Sequence, residues 1–185
     1  MDRAQSRVLQ PPRLRVALLL ALLCAWSGCA AVPSAAAPPP PNQWLGTWRG
    51  TLLAHTDGQT KAVAPMALQI AATDEAAVVR WCLTYGSGAA ADVRDYRLVE
   101  IDGRTGQYAI DESGGVVLPA RWCGGALVSV FAVAGSTLVV RYVYGGDHLD
   151  FELESVAAGA ARETGQGIQV WERPAVQRAR LWRQR

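Results

Sequence analysis

The stretch that decides the fold is HLDFELE, residues 148–154 of a chain of 185 residues. Apolar and acidic side chains alternate along it, and a period of two is that of a β-strand with one dry face and one wet face. The stretch therefore predicts a β-strand whose apolar face packs on a hydrophobic core and whose acidic face meets solvent. The apolar set is Leu149, Phe151 and Leu153, and the acidic set is Asp150, Glu152 and Glu154.

The same alternation appears in earlier strands, although there the two faces differ in the size of their side chains more than in polarity. Around residue 81, the large ring of Trp81 falls on the face opposite Arg80 and Cys82. Similarly, Trp122 falls opposite Arg121 in a second stretch. Because an unpaired charge is costly to bury, we expect the aromatic faces to point inward and the arginines outward.

From Trp44 onward, clusters of Gly, Asp and Ser interrupt the apolar stretches about every 8 to 12 residues, which is the spacing of a β meander. Links of hairpin length favour antiparallel neighbours. Such strands must pair as two sheets or close into a barrel, and we expect an all-β, antiparallel up-and-down meander closed into a lipocalin-like barrel of about 8–10 strands. The predicted strands are 45–54, 63–71, 77–85, 92–101, 107–111, 116–122, 127–133, 137–144, 148–156 and 168–173, with a short last one at 176–182.

The domain opens with WLGTWRG, residues 44–50. This opening resembles the first strand of the calycin group, which includes lipocalins, fatty-acid-binding proteins and nitrobindin-like barrels. In that group a Gly-x-Trp element begins strand one, and its tryptophan plugs one barrel end against a basic residue near the closing strand. The resemblance implies this closing role for Gly46 and Trp48, with Arg173 and Arg180 as candidates for the basic partner by position. It implies an architecture and names no ligand.

The first 28 residues have the features of a signal peptide. Four arginines precede an unbroken apolar run at residues 16–26, and a membrane span needs roughly 20 apolar residues, more than this run supplies. The sequence Trp26-Ser27-Gly28-Cys29 resembles the lipobox of bacterial lipoproteins, with Trp26 where an aliphatic residue is usual. We therefore predict lipidation at Cys29. Ordinary cleavage, which would release a soluble periplasmic or secreted protein, is the alternative.

Three segments follow from this organisation: a signal peptide at 1–28, an Ala/Pro-rich linker at 29–43 and a single β-barrel domain at 44–185. The predicted location is the cell envelope, with the lipid anchor in a bacterial membrane facing the periplasm. Beyond the signal peptide, 14 basic and 15 acidic residues remain, so the sequence gives no electrostatic reason to expect nucleic acid. Five arginines close the chain, and we expect a solvated strand face there, with anionic lipid contact as the alternative. They are Arg173, Arg178, Arg180, Arg183 and Arg185.

Two cysteines remain in the domain, and an exported pair suggests a disulfide between Cys82 and Cys123. Closing so long a loop would stabilise the fold by roughly 4 kcal/mol. However, the two residues lie on the third and sixth predicted strands, and strands are spaced by about 4.8 Å. Three such steps exceed the Cα separation of a disulfide, which is under about 7 Å. A disulfide and two free thiols both remain open.

No pattern of catalytic or metal-binding residues is visible in the sequence. His55 and His148 lie in turns without metal-ligand spacing to another histidine or cysteine. The segment Gly86-Ser87-Gly88 lacks the context of a nucleophile elbow, and the acidic residues of 148–154 fit a solvated strand face. We therefore expect no enzyme activity, no cofactor and no metal site.

The aromatic side chains are the remaining candidate for a binding site. A barrel of this size either fills its interior with side chains, which the abundant Val and Leu on the same faces favour, or holds one small ligand. The sequence predicts an exported lipoprotein with a lipocalin-like barrel for a small apolar ligand. The alternative is a structural or assembly lipoprotein of the envelope, which acts through contacts with the membrane surface or with a protein whose identity the sequence does not indicate. The candidate interior residues are Trp48, Trp81, Tyr85, Trp122, Phe131 and Tyr142.

Overall fold

A computed structural model describes residues 41–157, 159, 161–171 and 175–185. The predicted signal peptide, Cys29 and most of the linker lie outside these residues. Within the described part of the chain, every helix is too short or too polar to cross a membrane.

The described residues form twelve strands, ten of which close into an antiparallel barrel. Each barrel strand pairs with its neighbours in the chain, and β12 closes the circle by pairing with β1 and β9. The predicted all-β, up-and-down barrel is thereby confirmed, and ten strands is the upper end of the predicted range. The strands are β1 (Gly46–Thr56), β2 (Gln59–Ala72), β3 (Val78–Tyr85), β4 (Asp92–Asp102), β5 (Gln107–Asp111), β6 (Val117–Cys123), β7 (Ala126–Val133), β8 (Ser136–Tyr144), β9 (His148–Ala157), β10 (Ala161–Glu163), β11 (Gln169–Trp171) and β12 (Ala175–Arg183).

One predicted strand does not belong to the barrel. The predicted strand 168–173 corresponds to the short β11, which pairs with β10 in a separate hairpin. The barrel is closed by β12, the strand expected to be short and last. β12 supplies an inward face of Ala179 and Leu181, both buried, over nine residues. A strand of three residues is too short to fill that gap.

The inner and outer faces of the strands follow the predicted alternation. Leu149 and Phe151 of β9 are buried, as is Trp81 of β3, whereas Arg80 and Arg121 lie exposed on the outside. All six predicted aromatic residues belong to the core cluster or pack against it.

The suggested disulfide is absent, because Cys82 and Cys123 are both free thiols. β4 and β5 lie between the strands that carry them, so the sulfur atoms are held apart by the strand order. Cys123 is exposed, whereas Cys82 is buried although it belongs to the outer face. Burial raises the pKa of the Cys82 thiol, and Asp95 acts in the same direction.

The acidic face of β9 lies beside the basic face of β12. Nε of Arg178 lies 2.6 Å from a carboxylate oxygen of Glu152, and Nε of Arg180 lies 2.8 Å from one of Asp150. Two of the five closing arginines are therefore paired on the outer wall. The register of β9 and β12 brings these pairs together, because it places Arg178 opposite Glu152 and Arg180 opposite Asp150.

Candidate functional site

The barrel has a closed end, at the start of β1, where two tryptophans fill the interior. Trp48 has no exposed surface, and its indole N–H donates a hydrogen bond of 2.9 Å to the carbonyl oxygen of Trp44. Trp44 is the last residue of a short 3-10 helix, Pro41–Trp44, which leads the chain into β1 at this end of the barrel. Its ring stacks against Tyr144 with centroids 5.9 Å apart and contacts Trp122 at 5.5 Å.

Arg183 is the basic residue that holds the closed end. Its Cζ lies 4.1 Å from the centroid of the Trp48 ring. Its guanidinium also donates hydrogen bonds of 2.7 Å to the carbonyl oxygen of Leu45 and 2.8 Å to that of Gln43. A cation over an aromatic face, anchored by two carbonyls, ties the end of the last strand to the entry of the first.

Neither candidate basic partner is seen in this role. Arg180 lies on the outer wall, where it pairs with Asp150, and Arg173 lies outside the described residues. The alternation along β12 could have identified Arg183, because Ala179 and Leu181 share its inward face. The expectation that arginines point outward excluded Arg183 from consideration.

Gly46, the first residue of the Gly-x-Trp element, is required by this arrangement. Its φ of +139° is disfavoured for residues with a side chain. A Cβ at this position would also lie 3.0 Å from Nη1 of Arg183. The glycine therefore leaves room for the guanidinium that covers Trp48.

The opposite end of the barrel contains a cavity of about 220 Å³, at the end where β3 meets β4 and β7 meets β8. Four of the six predicted aromatic residues line it, whereas Trp48 does not and Trp122 packs beside Trp44. The lining residues are Trp81, Leu83, Tyr85, Arg94, Tyr96, Ile110, Glu112, Leu118, Ser129, Phe131, Val133, Leu138, Val140, Tyr142, Phe151 and Leu153.

Trp81, Tyr142 and Phe151 form the floor of the cavity. The Trp81 and Tyr142 rings meet edge to face with centroids 5.0 Å apart, and Phe151 lies 5.3 Å from Tyr142. A tyrosine hydroxyl is already neutral at physiological pH, and burial raises the pKa of Tyr142 further. The Trp81 N–H faces this hydroxyl and favours its phenolate, but the geometry falls short of a hydrogen bond and leaves the N–H unpartnered.

Ser129 is the buried polar residue of the cavity wall. Its side chain is 2% exposed, and its hydroxyl donates a hydrogen bond of 2.8 Å to the carbonyl oxygen of Pro119. The hydroxyl proton is thereby bound to the protein itself. This hydrogen bond satisfies the buried hydroxyl of Ser129. Because its proton goes to a backbone carbonyl and not to a general base, Ser129 is not activated as a nucleophile.

The mouth of the cavity carries both signs of charge. Cζ of Arg94 lies 5.1 Å from the centroid of the Tyr85 ring, and its Nε donates a hydrogen bond of 3.0 Å to a carboxylate oxygen of Asp92. Glu112 adds a second acid beside Tyr96. Burial raises the pKa of Tyr85 to about 12 despite the nearby cation.

The sequence patterns did not indicate the mouth residues Arg94, Tyr96 and Glu112. Arg94 and Tyr96 share the inward alternation of β4 with the buried Leu98. Arg94 breaks the outward rule because it lies near the end of its strand, where a long side chain reaches water. A charge on an inward position near a strand end is the signal that could have indicated the mouth.

The histidines make local contacts in the described structure. Nδ1 of His55 lies 2.9 Å from the Thr60 hydroxyl, and Nδ1 of His148 lies 2.7 Å from a carboxylate oxygen of Asp147. Among the residues that the structure describes, no cluster of three or more His, Cys, Asp or Glu could hold a metal ion.

A larger depression, of about 990 Å³, lies on the outer surface of β5 to β8. It is open to solvent. Exposed Val117 and Val130 line it together with Arg121 and Arg141.

No family model matches this chain, and no curated protein matches its sequence. Its fold is similar to that of the S-type phycobiliprotein lyase from Guillardia theta, with a TM-score of 0.53 and 12% identity over 78% of this chain and 90% of that one. It is also similar to a protein of unknown function from the DUF3598 family of Nostoc punctiforme, with a TM-score of 0.54 and 13% identity over 77% of this chain and 48% of that one. At such identities the likeness shows the fold alone.

Proposed function

We propose that this protein is an exported, lipid-anchored barrel that binds a small apolar molecule in the cavity above Trp81. The observation that carries the proposal is the asymmetry of the interior: aromatic rings plug one end, and a cavity opens at the other. A barrel that served only as a rigid scaffold would gain stability from filling both ends. The similarity in fold to a phycobiliprotein lyase is consistent with a barrel that binds another molecule.

The cavity volume limits the size of the ligand. Pockets for drug-sized molecules measure roughly 300–1,000 Å³, whereas a cavity of about 150 Å³ can hold benzene. At about 220 Å³, this cavity accommodates one ring with a short substituent. Larger molecules could enter only in part.

The proposed binding is non-catalytic. The Ser129 hydroxyl is bonded to the carbonyl oxygen of Pro119, and the Tyr142 hydroxyl, neutral near pH 7 as in any tyrosine, has its pKa raised further by burial. Among the described lining residues, no nucleophile is paired with a general base. Binding and release are the functions that this set of side chains supports.

Filling the cavity tests the proposal directly. Val140→Phe places a ring into the cavity, and we expect it to abolish the binding of toluene measured by ligand-observed NMR. Val130→Phe on the exposed outer face of the adjacent strand is the matched control and should retain binding. If toluene does not bind the unmodified protein, or binds equally to both variants, the cavity is not a binding site.

The anchoring half of the proposal rests on the lipobox-like sequence that ends at Cys29. Metabolic labelling with a fatty acid should mark the full-length protein and its Cys24→Ala variant, and should not mark Cys29→Ala. Cys24 is the appropriate control because it lies in the apolar run of the signal peptide. Equal labelling of the two variants, or none of the unmodified protein, would contradict lipidation at Cys29.

A second candidate function, a structural or assembly role through surface contacts, is favoured by the outer depression of β5 to β8. Val130 is 55% exposed there, and Val117 is 57% exposed, beside two arginines. An apolar surface with basic residues suits the surface of an anionic membrane. Co-sedimentation with phosphatidylglycerol vesicles, lost in Val130→Glu but retained in Val140→Phe, would support this role over ligand binding.

A further inference from the structure

We propose that the cavity selects an uncharged ligand that carries an oxygen acceptor, such as a ketone, aldehyde or ester carbonyl, and that this oxygen accepts a hydrogen bond from the indole N–H of Trp81. The cavity should correspondingly discriminate against carboxylates. This inference rests on the proposed function, because it names the class of ligand for the same cavity.

The unpartnered Trp81 N–H is the first observation behind the inference. Trp81 has no exposed surface, it lines the cavity, and its Nε1 has no hydrogen-bond partner. Buried donors nearly always have partners, so an exception needs an explanation. Trp48 in the same barrel shows the usual solution, since its N–H bonds to the carbonyl oxygen of Trp44.

Trp44 also has an unpartnered N–H, and its position distinguishes it from Trp81. Trp44 packs against Trp81 with ring centroids 6.0 Å apart, but it belongs to the closed end and does not line the cavity. Of these two unpartnered indole N–H groups, only that of Trp81 belongs to a residue of the cavity lining. The Tyr142 hydroxyl faces the Trp81 N–H without completing a hydrogen bond, and the Ser129 hydroxyl is already bonded.

The charges at the mouth argue against an anionic ligand. Arg94 is the cation of the cavity lining, and its Nε already donates to Asp92. Glu112 adds a further negative charge to the same lining. A carboxylate in the cavity would lose its water without gaining a cation of its own, which costs far more than burying a neutral carbonyl.

Three small probes of similar size separate these possibilities. Acetophenone carries a neutral carbonyl oxygen, α-methylstyrene replaces that oxygen with a methylene group, and benzoate carries an anionic head on the same ring. All three contain one ring with a short substituent, the size that the cavity accommodates. Differences in their dissociation constants therefore report on the acceptor and its charge.

We expect calorimetry on the unmodified protein to show acetophenone binding about tenfold more tightly than α-methylstyrene, a factor typical of one buried hydrogen bond. Benzoate should bind at least about tenfold more weakly than acetophenone. Trp81→Phe removes the N–H and retains an aromatic ring, so the preference for acetophenone should disappear while α-methylstyrene still binds. Trp182→Phe, on the exposed outer face of β12, should behave as the unmodified protein does.

A direct measurement avoids dependence on the folding of Trp81→Phe. In the ¹⁵N-labelled unmodified protein, acetophenone should move the Trp81 indole N–H resonance to higher frequency than α-methylstyrene does, because both rings contribute similar ring-current shifts and only acetophenone accepts a hydrogen bond. Equal affinity for these two probes with no such shift would overturn the inference and leave the proposed function standing. Tightest binding of benzoate would also overturn it. Failure of all the probes, toluene included, would refute the proposed function itself.

Discussion

The two ends of the barrel face the same physical problem, an apolar interior that must end at water, and they resolve it in opposite ways. At the closed end, Trp48 is fully buried beneath the guanidinium of Arg183. At the open end, Tyr85 and Arg94 form a comparable pair of ring and guanidinium, yet they stand at the rim of a cavity. The same residue types therefore plug one end and line the other.

Hydrogen bonding explains the difference between the ends. Arg183 donates to two backbone carbonyls of the entering chain, whereas Arg94 donates to Asp92, a side chain two residues away. The first arrangement connects the two termini of the domain, and the second is local. We infer that the closed end contributes most to stability and that the open end is free to serve binding.

The largest expected effect separates the two ends by truncating one ring in each. Trp48→Ala should lower the free energy of unfolding by about 3–5 kcal/mol, because it opens a hole in a fully packed plug. Phe131→Ala, at a partly exposed position on the cavity wall, should cost less than about 2 kcal/mol. Urea unfolding followed by circular dichroism measures both values. Equal costs would remove the distinction between plug and cavity.

A smaller effect on the free energy of unfolding is expected when Arg183 at the closed end and Arg94 at the open end are each replaced. Arg183→Met should destabilise the barrel by about 2–3 kcal/mol, because it loses two charged hydrogen bonds and the contact with Trp48. Arg94→Met should cost less than about 1 kcal/mol, as surface ion pairs usually do. The comparison uses the same unfolding measurement, with Arg185→Met at the exposed terminus as the control. A cost for Arg94→Met that matches Arg183→Met would contradict the assignment of stability to the closed end.

The period-two alternation predicted the interior position of the aromatic residues, and the hairpin-length links predicted that the strands close into a barrel. Residues 148–154 alternate strictly, and the structure buries Leu149 and Phe151 as expected. The alternation does not predict the height of a side chain along the barrel axis, because that depends on the stagger between neighbouring strands. The division of the six aromatic residues between plug and cavity therefore required the structure.

The position of Trp44 depended on contacts that sequence patterns do not contain. Trp44 was expected only to begin the domain, but as the last residue of the 3-10 helix Pro41–Trp44 it places its ring in the plug. The separation of Cys82 and Cys123 follows from strand order, which the meander already indicated. In that case the geometric argument was correct, and the redox argument for a disulfide was the weaker of the two.

The smallest expected effect concerns Tyr85 and tests whether the open end is dry. Burial raises the pKa of Tyr85 to about 12 in the folded protein, whereas an unfolded tyrosine titrates near about 10. The unfolded state therefore loses its proton first as the pH rises. The resulting stabilisation is fully present below about pH 10 and is lost between about pH 10 and pH 12.

Because Tyr85 stands at the mouth and is screened in part by solvent, we expect this contribution to be about 1 kcal/mol. The unmodified protein should lose that much more stability than Tyr85→Phe between about pH 8 and pH 12. Tyr142 also has a pKa raised by burial, but it is present in both proteins and cancels in the comparison. Equal losses would mean that the Tyr85 phenol ionises as readily as in water. The mouth would then be hydrated, and an apolar ligand would gain little binding free energy by entering it.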